Sequence, residues 1–310
     1  MRRSLADSLE YIAQQAGGWA TFDANSLKAM IARMNQGERY PPSTFGLYTQ
    51  LVFAVADGDS DRAAGLFGEL VRESPVTDGW ELLSLSDDKI RRHADRYRQL
   101  MDSDPNAIFQ MLAPSPAEVT DFRQRFDEGY NLLARAAGEL TAEFDVLVSR
   151  IVVVVGDSES EYQFDGGSAY MLWGGLFLNA ASHQHPVAVA EVLAHESAHI
   201  LLFGFASAEA MTRNPDSELY NSPLRVDPRP MEGIFHATYV SARMHWTMSR
   251  LLDSGMLDST GEQMAAQAIK ADGANFRAGY QVIADKGQLT ATGHAVISAA
   301  KAYMERQGCP

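Results

Sequence analysis

Residues 186–205 form the longest apolar stretch of the chain, yet they include Glu191, His195, Glu196 and His199. A lipid-facing span would not tolerate four such groups, and twenty residues exceed the usual length of a strand, so the stretch reads as a buried helix of a folded core. Polar groups buried in such a helix need partners, because leaving them unbonded in an apolar setting is costly. Within it, His195-Glu196-Ser197-Ala198-His199 is an H-E-x-x-H motif. At about 100° per residue the two histidines point within about 40° of each other, one turn apart. Both imidazoles therefore reach one ion. Glu196 projects about 60° from His199, placed to touch a metal-bound water or to steady a ligand.

Composition narrows the partners. The 310 residues hold 26 Lys+Arg against 40 Asp+Glu, a formal net charge of −14, which repels phosphate backbones and anionic lipid surfaces. Neither nucleic acid nor membrane is expected as a partner. A single cysteine, Cys309, allows neither a disulfide framework nor a thiolate cluster, so any metal must be held by His, Asp or Glu. Polar Ser8, Glu10 and Gln14 interrupt the first residues where a secretory signal would have an apolar core, and the expectation is a soluble cytoplasmic protein.

Helical periodicity runs from residue 1 to about 140, as in Leu5, Leu9 and Ile12 and in Leu27, Met30, Ile31 and Met34. Breaks fall at Gly17-Gly18, Asp57-Gly58-Asp59 and Pro114-Ser115-Pro116. The pattern changes after Asp145. The β-branched run Ile151-Val152-Val153-Val154-Val155 predicts a buried strand, and residues 170–173 with 176–179 around Gly174-Gly175 predict a hairpin. A polar loop at about 214–228 precedes a helix at about 230–252, with Asp227-Pro228 as its expected start, and helices at roughly 259–286 and 290–307 follow. The expected fold is α+β and predominantly α-helical. A small sheet or hairpin would precede the HExxH helix and a second metal-site helix. A helical layer over 1–140, suited to peptide recognition, would adjoin a metal-binding catalytic domain over 141–310, or the two would form one unit.

The third ligand decides the chemistry. A metzincin needs glycine at 202 and histidine at 205, where this chain has Leu202 and Phe205. A thermolysin-like zinc peptidase needs a downstream glutamate, for which Glu218 and Glu232 qualify, with Glu196 as general base. His236, four residues after Glu232 and on the same helical face, is the other choice. His245 lies half a turn from His236 and reads as a packed or surface residue; His183 and His185 belong to a polar loop at the rim, and His93 and His294 read as structural.

The segment from Tyr220 to His236 contains Ser222-Pro223-Leu224-Arg225-Val226-Asp227-Pro228-Arg229-Pro230. Together with His195 to His199 it resembles the HExxH-type 2-oxoglutarate-dependent peptide β-hydroxylases, which modify ribosomally made peptides, over about residues 150–250. The resemblance implies Fe(II) ligands at His195, His199 and His236, with 2-oxoglutarate and O2 as co-reactants and a precursor peptide as partner. It also implies that Glu196 orients a histidine or a metal-bound water. A three-histidine set departs from the commoner two-histidine, one-carboxylate triad, and the dianionic 2-oxo acid would balance the charge of the ion. The distal carboxylate of 2-oxoglutarate suits a guanidinium fork, for which Arg225 and Arg229 are candidates, with Tyr220 and Ser222 as hydroxyl donors. The plainer alternative for the arginines is pairing with Asp227, Asp216 or Glu218. Decarboxylation to succinate would be coupled to β-carbon hydroxylation of a peptide side chain, and the strand at 176–179 would dock that peptide by β-augmentation. A zinc metallopeptidase is the runner-up. A scaffold in which zinc merely staples two helices comes third, because closed structural sites use four protein ligands.

Overall fold

The computed structural model describes residues 1–101, 110–157 and 164–309. Among them are eleven α-helices and seven short strands, a predominantly helical α+β fold. The chain divides into two compact units interleaved in sequence, one of Met1–Val119 with Asp145–Ala181 and the other of Thr120–Phe144 with Ser182–Pro310.

The first unit opens with four helices, α1 (Arg2–Ala16), α2 (Ala24–Asn35), α3 (Pro42–Ala56) and α4 (Ser60–Leu70). The starts of α2 and α4 follow from capping: Asp23 accepts from the Asn25 and Ser26 amides, and Asp59 from that of Arg62. Their apolar faces meet in a cluster that includes Leu9, Met30, Leu47, Leu51 and Phe67. Strand β1 (Glu81–Ser84), a 3-10 turn (Arg91–His93), helix α5 (Ala94–Met101) and strand β2 (Met111–Leu112) follow. Strand β3 (Arg150–Gly156) is the β-branched run, with Ile151 to Val154 fully buried. It pairs in parallel with β1 and with β5 (Gly175–Asn179), whose other edge carries β4 (Gly166–Gly167). A continuous β-branched run is what a strand covered on both faces requires.

The expected hairpin is not formed. Tyr170–Leu172 is a 3-10 turn, and Gly174, at φ 80°, redirects the chain so that Gly175–Asn179 runs parallel to β3. Both edges of β5 are taken at Phe177 and Leu178, by β3 and β4. These positions offer no free edge for β-augmentation by a peptide. His93 is structural, as expected: it is buried with Glu73, which also binds Arg92 and the Ser43 hydroxyl.

The second unit holds most of α6 (Pro116–Ala136) and α7 (Gly138–Leu147), then α8 (Pro186–Phe205), the two-residue strands β6 (Leu219–Tyr220) and β7 (Arg229–Pro230), and helices α9 (Met231–Asp253), α10 (Ser259–Lys286) and α11 (Ala291–Arg306). Pro186 sits in the first turn of α8, and His185 Nδ1 accepts from the Val187 amide, so this rim histidine caps the helix. Helix α8 is long and apolar enough to cross a membrane, and 61% of that stretch is buried within the protein. Its inner face joins α9, α10 and α11 in a core that includes Ala198, Leu202, Phe235, Val240, Phe276 and Met304. Helix α9 begins within a residue of the expected position, but Pro230 and not Asp227 is its N-cap, the Asp227 carboxylate being engaged by Arg225 and Arg229.

Close packing of α6 on α8 sets the position of the motif helix. A Cβ at Gly129 would lie 2.6 Å from Val189 Cβ and 2.7 Å from the Pro186 carbonyl. Gly129→Ala is therefore expected to cost about 1–3 kcal/mol and to lower the melting temperature by several degrees. Gly65→Ala, on α4 with open space around it, should stabilise the protein by about 0.5–1 kcal/mol. Thermal unfolding of the two variants checks the contrast, and equal effects would remove the packing explanation.

Candidate metal centre

Where α8 lies against α9, three histidines meet. His195 Nε2 and His199 Nε2 are 3.1 Å apart, and His199 Nδ1 is 2.9 Å from His236 Nδ1. The ring centroids are 4.9 Å apart for the first pair and 5.2 Å for the second. The HExxH spacing accounts for the first contact, and the position of His236 on the facing helix accounts for the second. Phe203, one turn beyond His199, continues the row and sits 5.3 Å from the His236 ring. On the far edge of His195, Nδ1 lies 3.3 Å from the Met244 sulfur.

Partial burial favours the neutral form of all three imidazoles. Desolvation, with the nearby His183 second, pulls the pKa of His195 down to about 4, and desolvation alone does the same for His236. His199 falls well below its ordinary value through desolvation and through its two histidine neighbours. Neutral imidazole is the form that binds metal. A separation near 3 Å between His195 Nε2 and His199 Nε2 is what two nitrogens on one ion adopt, each lying about 2.0–2.1 Å from it.

His199 turns opposite ring nitrogens to its two neighbours, so the three rings share no common point. Among the described residues, no group of three or more His, Cys, Asp or Glu side chains is arranged to hold one ion. The donor types and their protonation state fit a divalent ion such as ferrous iron, and ring orientation is what a shared point would change. In the arrangement present, each contact is an N···N hydrogen bond between neutral rings, one ring donating and the next accepting.

The other candidates fall into place around this row. Glu196 is 5% exposed, with Oε1 3.8 Å from His195 Nε2. Glu232 Oε2 accepts from the Thr212 amide and hydroxyl, and its Oε1 is 3.9 Å from His236 Nε2, so it stands beside that ring and is bound elsewhere. Glu218 accepts from the Tyr220 hydroxyl at 2.6 Å. Glu218 is thus engaged by Tyr220, and Glu232 stands at the edge of the histidine row with its other oxygen held by Thr212. Arg225 Nε and Arg229 Nε bond the two oxygens of Asp227 at 2.9 and 3.0 Å, the plainer alternative for these side chains. Ser222 Oγ accepts from the Leu224 amide. His183 adopts φ 53°, a left-handed conformation uncommon outside glycine, and its charge opposes protonation of His195. His245 is packed, 3% exposed, with Nδ1 2.8 Å from the Tyr303 hydroxyl.

Two features lay outside the sequence reading. Met244 has no motif that marks it, whereas Phe203 continues the i, i+4 row of His195 and His199 and was readable from spacing. Asp272 on α10 is 3% exposed, its Oδ2 is buried without a partner among the described residues, and burial followed by the charge of Glu191 raises its pKa to about 8. Glu191, one turn before His195, is itself raised by burial. No protein-family model matches the chain, and no curated protein matches it at a significant level.

Asp272 makes a pH test available. Its native pKa lies above its unfolded value, so the native state holds a proton that the unfolded chain gives up between about pH 4 and pH 8. Its contribution to stability is full below that window and is lost as pH rises through it. Asp272→Asn should be close to neutral near pH 4 and increasingly stabilising up to about pH 8, with no further gain above. Denaturant unfolding across that range checks it; a difference from wild type that does not change with pH would rule out the buried acid.

Proposed function

We propose that this chain is an Fe(II)- and 2-oxoglutarate-dependent dioxygenase that hydroxylates a side-chain β-carbon in a ribosomally made peptide. The observation that carries this reading is the identity of the third side chain: His236, and neither Glu218 nor Glu232, joins His195 and His199. His195, His199 and His236 would hold the iron, which when bound supplies the oxidising chemistry that couples 2-oxoglutarate decarboxylation to oxygen insertion into a C–H bond.

The chain's own groups have separate tasks. Glu196 carries its carboxylate at the Nε2 edge of His195, where it orients that ring or an adjacent water. Phe203 lies against His236 and His199 and keeps water from that side of the rings. Met244 bounds the other edge of His195. Arg225 and Arg229 hold Asp227, a carboxylate on the loop between β6 and β7, and the distal carboxylate of 2-oxoglutarate has the same chemistry. Arg229 is the better placed of the two: it packs beside Gly233 at the start of α9, seven residues before His236 in sequence. Exchange of Asp227 for the substrate carboxylate leaves the number of charges around the guanidinium unchanged. The acidic precursor-repelling charge of −14 favours a basic or neutral peptide over an acidic one.

Anaerobic addition of ferrous iron and then 2-oxoglutarate tests the reading. A metal-to-ligand charge-transfer band should appear, and succinate should form on admission of air. His236→Ala should abolish the band. Arg229→Ala should leave iron binding intact and weaken 2-oxoglutarate binding by roughly 10- to 100-fold, the worth of one charge-assisted contact. Zinc-dependent peptide cleavage with neither band nor succinate would replace the oxygenase by a peptidase.

A further inference from the structure

Along α8, Glu191, His195, His199 and Phe203 recur at four-residue spacing and are partly exposed, whereas residues 192–194 and 196–198 between them are buried. The helix thus turns one strip outward, with Glu191 at its end, one turn or about 6 Å along the axis from His195. Asp272 of α10 is 3% exposed and lies close enough to Glu191 for that charge to act on it. Among the described residues Glu191 forms no ion pair or hydrogen bond, and Asp272 Oδ2 is buried without a partner. We propose that Glu191, backed by Asp272, binds the guanidinium of an arginine side chain in the substrate of the histidine row. Assignment to that substrate rests on the proposed function; the guanidinium site itself does not.

Two neighbouring acids with no base between them are uncompensated, and burial raises the pKa of both, as it does for carboxyls that no cation steadies. An incoming cation reverses that effect by favouring the ionised forms. Contact falls to the partly exposed Glu191 alone, since Asp272 Oδ2 is sealed from the surface and acts through its field. The kind of cation follows from the donors. Calcium takes roughly six to eight oxygen ligands and magnesium gives up its water reluctantly, while among the described residues no three His, Cys, Asp or Glu side chains are arranged to hold one ion. An ammonium is a strongly hydrated point charge. A guanidinium is more weakly hydrated, and its fork matches both oxygens of one carboxylate. A substrate anchored at Glu191 and lying along the strip brings its neighbouring atoms to His195 and His199.

Calorimetric titration of the metal-free full chain with butylguanidine, butylamine, butyramide and magnesium chloride tests the assignment. Butylguanidine should bind saturably at one site, at least about tenfold more tightly than butyramide or magnesium and about threefold more tightly than butylamine. Glu191→Gln should weaken it at least about tenfold, a difference of about 1.4 kcal/mol, and Asp272→Asn about threefold. Glu191→Ala serves the same purpose if the glutamine variant does not fold. Asp88→Asn removes the same charge from an exposed position in the first unit and should leave the binding unchanged. Absence of saturable binding, another probe binding as tightly as butylguanidine, unchanged binding in a folded Glu191 or Asp272 variant, or an equal loss in Asp88→Asn would each overturn the proposal. No iron takes part, so failure here is distinct from failure of the charge-transfer band to appear.

Discussion

Three half-buried imidazoles in contact where two helices meet impose the main constraint on the second unit. Each ring finds a partner in the row that α8 and α9 form together, with His199 between His195 and His236. The apolar flanks of the H-E-x-x-H motif serve this end, since Leu193, Ala194, Ser197 and Ala198 are buried and hold the helix in the core while one edge presents the histidines. Burial in turn depresses the pKa values of the rings and keeps them in the ligating form. Gly129 contributes near the start of α8 by letting α6 approach at backbone distance.

Much of this was legible in the sequence because strong local patterns decide it. The motif helix, the helix bearing His236 and α10 lie within a residue or two of where periodicity and turn chemistry place them, and the β-branched run is a buried strand. What pattern did not disclose is non-local. Gly174-Gly175 suits a hairpin turn as well as a bend into a parallel strand, and only pairing with β3 chooses between them. Asp227 satisfies the rule for a helix cap, yet two arginines outcompete the backbone amides for it. Met244 and Asp272 carry no sequence signature, because their significance comes from which helix lies across from them.

The loop between β6 and β7 links the fold to the proposed chemistry. Its two short strands pin its ends, and Asp227 organises Arg225 and Arg229 between them. An internal carboxylate that holds arginines ready for an incoming carboxylate preorganises the fork at little cost in charge. Glu218 and Glu232, one of which a zinc peptidase would place on the metal, bind Tyr220 and Thr212. The same residues thus bear on the choice between two chemistries through the partners they already have.

X-ray absorption of the anaerobic ferrous protein measures the central claim most directly, because it counts the imidazoles on the metal. Three nitrogen-bound imidazoles in the wild type and two in His236→Ala are expected. Two imidazoles with a carboxylate in the wild type, unchanged when His236 is removed, would contradict the three-histidine centre.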